Sequence, residues 1–308
     1  MHLGRREMVL LFIDMHTHAY WKHPPILVRF ATPEQLIERY DQMGVEKAGI
    51  MPIVSPEIYF PQSNEDVLDM VAKYPDRFFA FCNIDPRALT NSPHAPLGDV
   101  MRYYKDLGCR GIGEIMPNMP VMDPLVQNLF WHAEKVGLPV VYDGSDVTTG
   151  DFGLYDDPGL PQLEHTLQRY PELIIFGHGP VFWSEIARME TPGERGYIFR
   201  RDGGQVGRLP QGPIKEEGVV PKLMRRYPNL HGDLSDGTAF NAFARDPDYG
   251  PKFLGEFQDR LCFGTDMCGA GMQVRITDLL IDWRDSGKIT QEVFNKVARE
   301  NAIRIFNL

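Results

Sequence analysis

"AEKVGLPVVYDG", residues 133–144, passes from a helical to an extended pattern at one glycine. Before Gly137 the apolar residues recur with helical spacing, and after it comes a short β-rich run that ends on an acid, Asp143. Glycine relieves the left-handed turn that closes a helix, so the stretch reads as helix, stop, strand. "YDQMGVEKAGIMPIV" at Gly44 and "YKDLGCRGIGEI" at Gly108 repeat it. "VAKYPDRFFAFCNI", "LQRYPELIIFGH" and "MRRYPNLHGDLS" make the same junction with a cation, Tyr and Pro, at Pro75, Pro171 and Pro228. Proline cannot continue a helix and restricts the residue before it, while the cation suits a helix C-terminus. Adding the opening run and "RLCFGTDM" gives apolar runs near residues 9–15, 45–54, 78–84, 109–115, 138–143, 173–178, 230–235 and 260–266. Helical stretches such as "PEQLIERYDQM", "NEDVLDMVAKY", "PLVQNLFWHAEKV" and "YGPKFLGEFQD" lie between them. Alternating strands and helices pair in parallel through crossovers, and eight such units predict an α/β protein with a (β/α)8 TIM barrel. A doubly wound sheet is the alternative, weakened by the lack of a GxGxxG turn after the first strand.

Two segments fall outside the repeat. "QEVFNKVARENAIRIFNL" reads as an added C-terminal helix packing across the outside of the barrel. Residues 181–220, after the sixth strand, are rich in Gly, Pro and charge, and a loop this long in a compact domain is usually functional or disordered. In a barrel it would sit over the mouth. No shift in composition suggests a second domain, so residues 1–308 are expected to form one barrel domain.

The totals exclude several classes. A chain of 308 residues with 43% hydrophobic and 24% charged residues is ordinary for a soluble globular protein. Its net charge of −10 argues against a nucleic-acid or anionic-membrane surface, which would need a concentrated basic face. Four cysteines (Cys82, Cys109, Cys262, Cys268) are too sparse for a disulfide framework and read as free thiols. The apolar run near the N-terminus is too short for a signal peptide and ends at Asp14 and His16, and no stretch is long enough to span a membrane. A cytoplasmic protein acting on a small molecule is expected, and a homo-oligomer is compatible with the sequence.

A barrel brings the C-terminal ends of all its strands to one face. Those ends carry Asp14, His16 and His18; Ser55; Asn83 and Asp85; Glu114; Asp143; His178; Asp233, Ser235 and Asp236; and Asp266. Ser55, Asn83, Asp85 and the 233–236 group are adequately explained as polar residues where strands meet solvent. The histidines are not. His16 and His18 lie two apart, so an extended strand projects them to one side, where two imidazoles can grip one ion and a carboxylate can complete the site. Asp14 shares their parity, which suits a group orienting a ligand. "FGHG" at His178 and "FGTD" at Asp266 add strand ends flanked by small residues. His2, His23, His94, His132, His165 and His231 have no paired ligand and read as core or surface residues. Trp21 and Trp183 follow ligand-bearing strand ends and would pack or line a pocket.

"IDMHTH", "IIFGHG" and "LCFGTD", in that order and spacing, resemble the amidohydrolase superfamily, in particular its amidohydrolase-related branch with aminocarboxymuconate-semialdehyde decarboxylase. The resemblance covers essentially the whole chain. It implies a (β/α)8 barrel with one or two divalent metals, most often zinc, with manganese as an alternative. His16 and His18 match the metal-binding pair, His178 the sixth-strand histidine and Asp266 the eighth-strand aspartate. At the end of strand five the family usually has a histidine, where this chain has Asp143, a candidate for metal or substrate. Glu114 resembles a metal-ligating glutamate of the deoxyribonuclease branch and would supply the ligand that strand five has lost.

Three functions follow from that resemblance. The first is metal-assisted hydrolysis of an ester, lactone or amide, with Asp266 taking the proton of the attacking water and His178 polarising the substrate or binding a second metal. The second is decarboxylation or hydration by the same site, with His178 protonating carbon and Arg200, Arg201 or Arg208 of the long loop clamping a carboxylate. The third is a metal-stabilised binding protein without catalysis.

Overall fold

The structure, a computed structural model, describes residues 11–23, 29–58, 62–191, 195, 198–199, 205–206 and 209–308. From the N-terminus the elements are β1 (Phe12–Thr17), α1 (Pro33–Met43), β2 (Val45–Ile50), α2 (Asn64–Lys73), β3 (Phe78–Ala80), α3 (Leu97–Asp106), β4 (Ile112–Ile115), α4 (Pro124–Val136), β5 (Val140–Ser145), β6 (Leu154–Tyr155), α5 (Pro161–Arg169), β7 (Ile175–His178) and α6 (Gly179–Ser184). They continue with β8 (Ile198–Phe199), β9 (Gln205–Val206), α7 (Val219–Arg226), β10 (Leu230–Asp233), α8 (Asp236–Ala244), α9 (Tyr249–Glu256), β11 (Leu261–Cys262), α10 (Arg275–Asp285), α11 (Gln291–Asn295), a π-helical turn at Lys296–Glu300, and α12 (Asn301–Phe306).

Local chemistry sets these bounds. Thr32 and Ser63 each close a reciprocal capping box, with Gln35 and Asp66, at the starts of α1 and α2. Pro33, Pro124 and Pro161 occupy first turns, where no backbone donor is missed. At the other end Gly44 and Gly137 cap α1 and α4 at φ 74° and 70°. Tyr74, Tyr170 and Tyr227, each followed by proline, leave the helical region as the C-caps of α2, α5 and α7.

β1, β2 and β3 pair in chain order, and so do β4, β5, β7, β10 and β11, in parallel throughout. Single parallel bridges span the two seams. Cys82 opposite Ile112 joins β3 to β4, and Thr17 opposite Met267 joins β1 to the segment after β11. Met15 N donates to Phe263 O at 3.0 Å across the second seam. The molecule is a (β/α)8 TIM barrel with a strand at each of the eight apolar runs. β6, β8 and β9 are short additions outside the ring.

The barrel interior below the site is apolar: Ile13, Met15, Met51, Phe79, Phe81, Val141, Phe176 and Cys262 pack on one another. The C-terminal segment corrects the expected outside packing. Phe306 of α12 sits 5.6 Å from Phe79, 5.2 Å from Phe81 and 5.8 Å from Phe176, ring centre to ring centre, so the last helix plugs the barrel from the end opposite the site. The apolar face of "ENAIRIF" therefore answers to the strand interior.

Residues 181–220 are also more ordered at their base than a plain loop. α6 takes up the first turn, Ala187 and Glu217 form an antiparallel bridge, and Arg188 N donates to Glu216 O at 2.9 Å. Buried Arg195 pairs with Glu185 at 3.1 Å and donates to the carbonyls of Asp156 and Asp157, tying the loop to the segment after β5. Arg200, Arg201 and Arg208 lie outside the described residues. All four cysteines are free thiols. Among the described residues no helix is long and apolar enough to cross a membrane.

Candidate metal centre

β1 does not keep strict alternation to its end: its register against β2 shifts between Asp14 and Thr17. The shift separates Asp14 from the histidines, against the expectation of a shared side. Asp14 is buried and accepts from Tyr40 Oη of α1 and Thr265 Oγ1, both at 2.6 Å, and from the backbone N–H groups of His16 and Thr265. It thus clips β1 to the segment that carries Asp266 rather than touching an imidazole. Burial pushes its carboxyl up to about 6, against the four hydrogen bonds.

His16 and His18 both turn to the barrel axis, with Nε2 atoms 3.2 Å apart. Their other nitrogens are engaged. His18 Nδ1 lies 2.9 Å from the carbonyl of Met51, which can only accept, so Nδ1 carries the proton and Nε2 presents a lone pair. His16 Nδ1 donates to Asp233 Oδ2 at 2.6 Å, with the same result. Two such nitrogens facing each other at 3.2 Å suit a cation shared between them, a proton or a metal ion. Glu114 Oε2 lies 3.5 Å from each Nε2, and Asp266 Oδ1 lies 3.6 Å and 3.3 Å from those of His16 and His18. These four donor atoms all fall within 4.8 Å of one another, and two imidazoles with two carboxylates are a donor set that divalent zinc or manganese takes. The residues present therefore fit the group.

Glu114 reaches a second cluster with its other oxygen. Oε1 is 3.4 Å from His178 Nε2, and Glu114, Asp143 and His178 offer atoms within 4.8 Å of one another. The β5–β7 ladder sets Asp143 directly opposite His178. Asn83 donates from Nδ2 to the Glu114 carbonyl, holding the end of β4. Asp266 is pinned by its own N–H, which donates to His16 O at 2.8 Å. The six candidates His16, His18, Glu114, Asp143, His178 and Asp266 thus converge, linked through Glu114.

Asp233 and Ser235 were not expected here. Asp233 Oδ2, besides accepting from His16, lies 3.3 Å from His178 Nδ1, while Ser235 Oγ lies 2.9 Å from Asp233 Oδ2 and 3.0 Å from His178 Nδ1. Their only signal was position at the end of the seventh run, shared with ordinary polar strand ends. The other polar ends do behave as ordinary ones: Asp85 and Glu57 share Arg87, and Ser55 bonds Glu57. Trp183 packs behind Asp233 and donates to its carbonyl, and Trp21 packs against the core. His132 bonds the Ala95 carbonyl, and burial holds His231, beside Phe176, down at about 3, a neutral core residue.

The electrostatics follow from this crowding. Burial opposes the charged forms of His16 and His178, yet Glu114 and Asp233 overcome it, raising His16 well above its ordinary value and His178 to about 10. Burial likewise pushes Glu114 and Asp233 up, but the histidines hold both far down. At Asp143, burial and the charge of Glu114 outweigh the pull of His178 and drive the carboxyl well above the usual range. A cation bound between His16 and His18 would displace protons from those two imidazoles.

An amidohydrolase family model matches residues 13–308. No curated protein matches the chain in sequence. Among solved structures the chain is similar to an uncharacterised TIM-barrel protein from Bordetella bronchiseptica, at 16% identity and TM-score 0.61, covering 96% of this chain and 98% of that one. It is also similar to a probable 2-pyrone-4,6-dicarboxylic acid hydrolase from Acinetobacter baumannii, at 12% identity and TM-score 0.57 over 97% and 100% of the two chains. A third is 5-carboxyvanillate decarboxylase from Sphingomonas paucimobilis, at 15% identity and TM-score 0.56 over 97% and 99%. At these identities the likeness shows the barrel alone, and it is the family model, running from the first ring strand to the last residue, that shows the chain belongs to the amidohydrolase family.

Proposed function

We propose that this protein is a metal-dependent hydrolase that cleaves an ester, lactone or amide in a small molecule, with a divalent ion, zinc before manganese, held by His16, His18, Glu114 and Asp266. The observation that carries the reading is the pair of Nε2 atoms 3.2 Å apart, flanked by two carboxylates. An ion bound there supplies Lewis acidity, lowering the pKa of water towards about 7 and drawing charge from a carbonyl oxygen. The chain does the rest. Asp266, with a fifth of its side chain exposed (20%) while the other three donors are buried, faces the open side. There its carboxylate takes the proton of the attacking water as the new C–O bond forms, and returns it to the leaving oxygen or nitrogen as the old bond breaks. His178, steadied by Asp233 and Ser235, donates a hydrogen bond from Nε2 to the substrate carbonyl.

One observation favours a lyase instead. His178, with Nε2 3.4 Å from Glu114 Oε1 and Nδ1 3.3 Å from Asp233 Oδ2, is aimed at the same cluster and is placed to give a proton to carbon. In a decarboxylation the C–C bond would break, carbon dioxide would leave, and the electron pair left on carbon would take the His178 proton. The test is to purify the protein with its metal and assay ester, lactone and amide panels beside carboxylated aromatics. Hydrolysis abolished by His16→Ala is expected. Release of carbon dioxide without hydrolysis would replace the first reading by the second, and protein without a stoichiometric divalent ion would overturn both.

A further inference from the structure

The buried apolar face of α4 is Val126, Leu129, Phe130, Ala133 and Val136, and Trp131 falls outside it, 46% exposed. Trp183 and Trp283 are buried. A single exposed indole needs no explanation by itself. This one, however, lines a cavity of about 720 Å³ on the outer flank of the barrel, between α4, the loop before α3 and the end of α5. None of the metal-centre residues lines it. Its size lies within the range of roughly 300–1,000 Å³ usual for small-molecule sites.

The walls are already in place. Asn128 Nδ2 and His132 Nε2 of α4 both donate to the Ala95 carbonyl, at 2.9 and 3.1 Å, and Tyr170 Oη donates to the Gln127 carbonyl at 2.9 Å. These bonds tie the loop before α3 and the end of α5 to α4, so a ligand entering the cavity does not have to order it.

The charge of the cavity is unlike that of the chain. The sequence has 42 acidic and 32 basic residues, yet no Asp or Glu lines the cavity, whereas Arg169 and His94 do. Among the described residues Arg169 forms no ion pair; it lies over the Tyr170 ring and reaches Gln127 Oε1 only at 3.4 Å. A guanidinium open to an anion, beside an exposed indole, suits a ligand with a planar ring and a negative group. A second copy of the chain is the poorer occupant, because it brings a net charge of −10 towards another of −10.

We infer that this flank cavity binds a small aromatic anion, its ring against Trp131 and its carboxylate or phosphate held by Arg169 and His94. The site is independent of the metal reading above.

The test titrates the full chain, as purified, with naphthoate and with adenosine monophosphate, followed by calorimetry. One equivalent of at least one of them should bind, and the tighter of the two assigns the anion as carboxylate or phosphate. Trp131→Ala and Arg169→Gln should each weaken that binding by about 10-fold or more, the loss expected for a stacking partner or a charged hydrogen bond. Both variants should keep the unfolding midpoint of the wild type, and His16→Ala should bind the probe unchanged. Binding that survives both flank variants overturns the site, and its loss in His16→Ala would put the probe on the metal centre instead. No binding of either anion at about 1 mM, or equal binding of neutral naphthylmethanol, overturns it too. A wild-type dimer in sedimentation that Trp131→Ala separates into monomers would put a second copy on this flank and overturn the small-molecule occupant.

Discussion

Asp233 Oδ2 lies 2.6 Å from Nδ1 of His16 and 3.3 Å from Nδ1 of His178, so one buried carboxylate on β10 faces the far nitrogens of histidines on two other strands. Such a partner fixes the imidazole tautomer and orientation and raises its basicity. Asp233→Asn should weaken metal binding by about 10–100-fold in a chelator competition, the range typical of a lost partner behind a metal-bound histidine. Unchanged affinity would mean that ring packing alone sets His16.

Asp14 makes a prediction of a different kind, because its hydrogen bonds reach backbone and a helix rather than an imidazole. Tyr40→Phe removes its 2.6 Å donor in a fully buried place and should cost about 1–3 kcal/mol in urea unfolding. Metal content should be unchanged, since the remaining donors from Thr265 and His16 still join the two strand ends.

Phe306 is the plug at the far end of the barrel. Phe306→Ala leaves a cavity among Phe79, Phe81 and Phe176 and should cost about 3–5 kcal/mol in urea unfolding. A loss under about 1 kcal/mol would show that the strands close over the gap.

The acid side of the stability curve has a local source. Burial alone would raise Glu57, but hydrogen bonds from Arg87 and Ser55 bring it down to about 2. Because the folded value is below the unfolded one, near 4.5, the group adds stability above that pH and loses it as pH falls towards 2. Glu57→Gln should therefore destabilise the protein at pH 7, by about 1 kcal/mol after allowing for partial exposure, and much less at pH 2. An equal deficit at both values would rule out titration of Glu57 as the cause.

Much of this protein could be read before any coordinates. α1 and α4 have the bounds of "PEQLIERYDQM" and "PLVQNLFWHAEKV", because capping residues, prolines and helix-ending glycines act within a few positions of themselves. The strands appear at all eight apolar runs, since a strand buried on both faces is apolar along its length. His16, His18 and His178 could be picked out because histidine at a strand end is seldom explained by packing, and Asp266 through its place in "FGTD".

What could not be read concerns which groups meet. A one-residue register shift in β1 sent Asp14 outward to Tyr40 and turned His16 inward, and alternation along a strand cannot foresee a shift set by pairing with β2. Asp233 looked like any polar strand end until ring closure brought β10 round to β1 and β7. The apolar face of the last helix was plain in its sequence, but its target was decided by barrel closure, which gathers the aromatic rings of β3 and β7 above it. Patterns that act over one or two turns are carried by neighbouring residues; contacts between residues some 200 positions apart exist only once the barrel has closed.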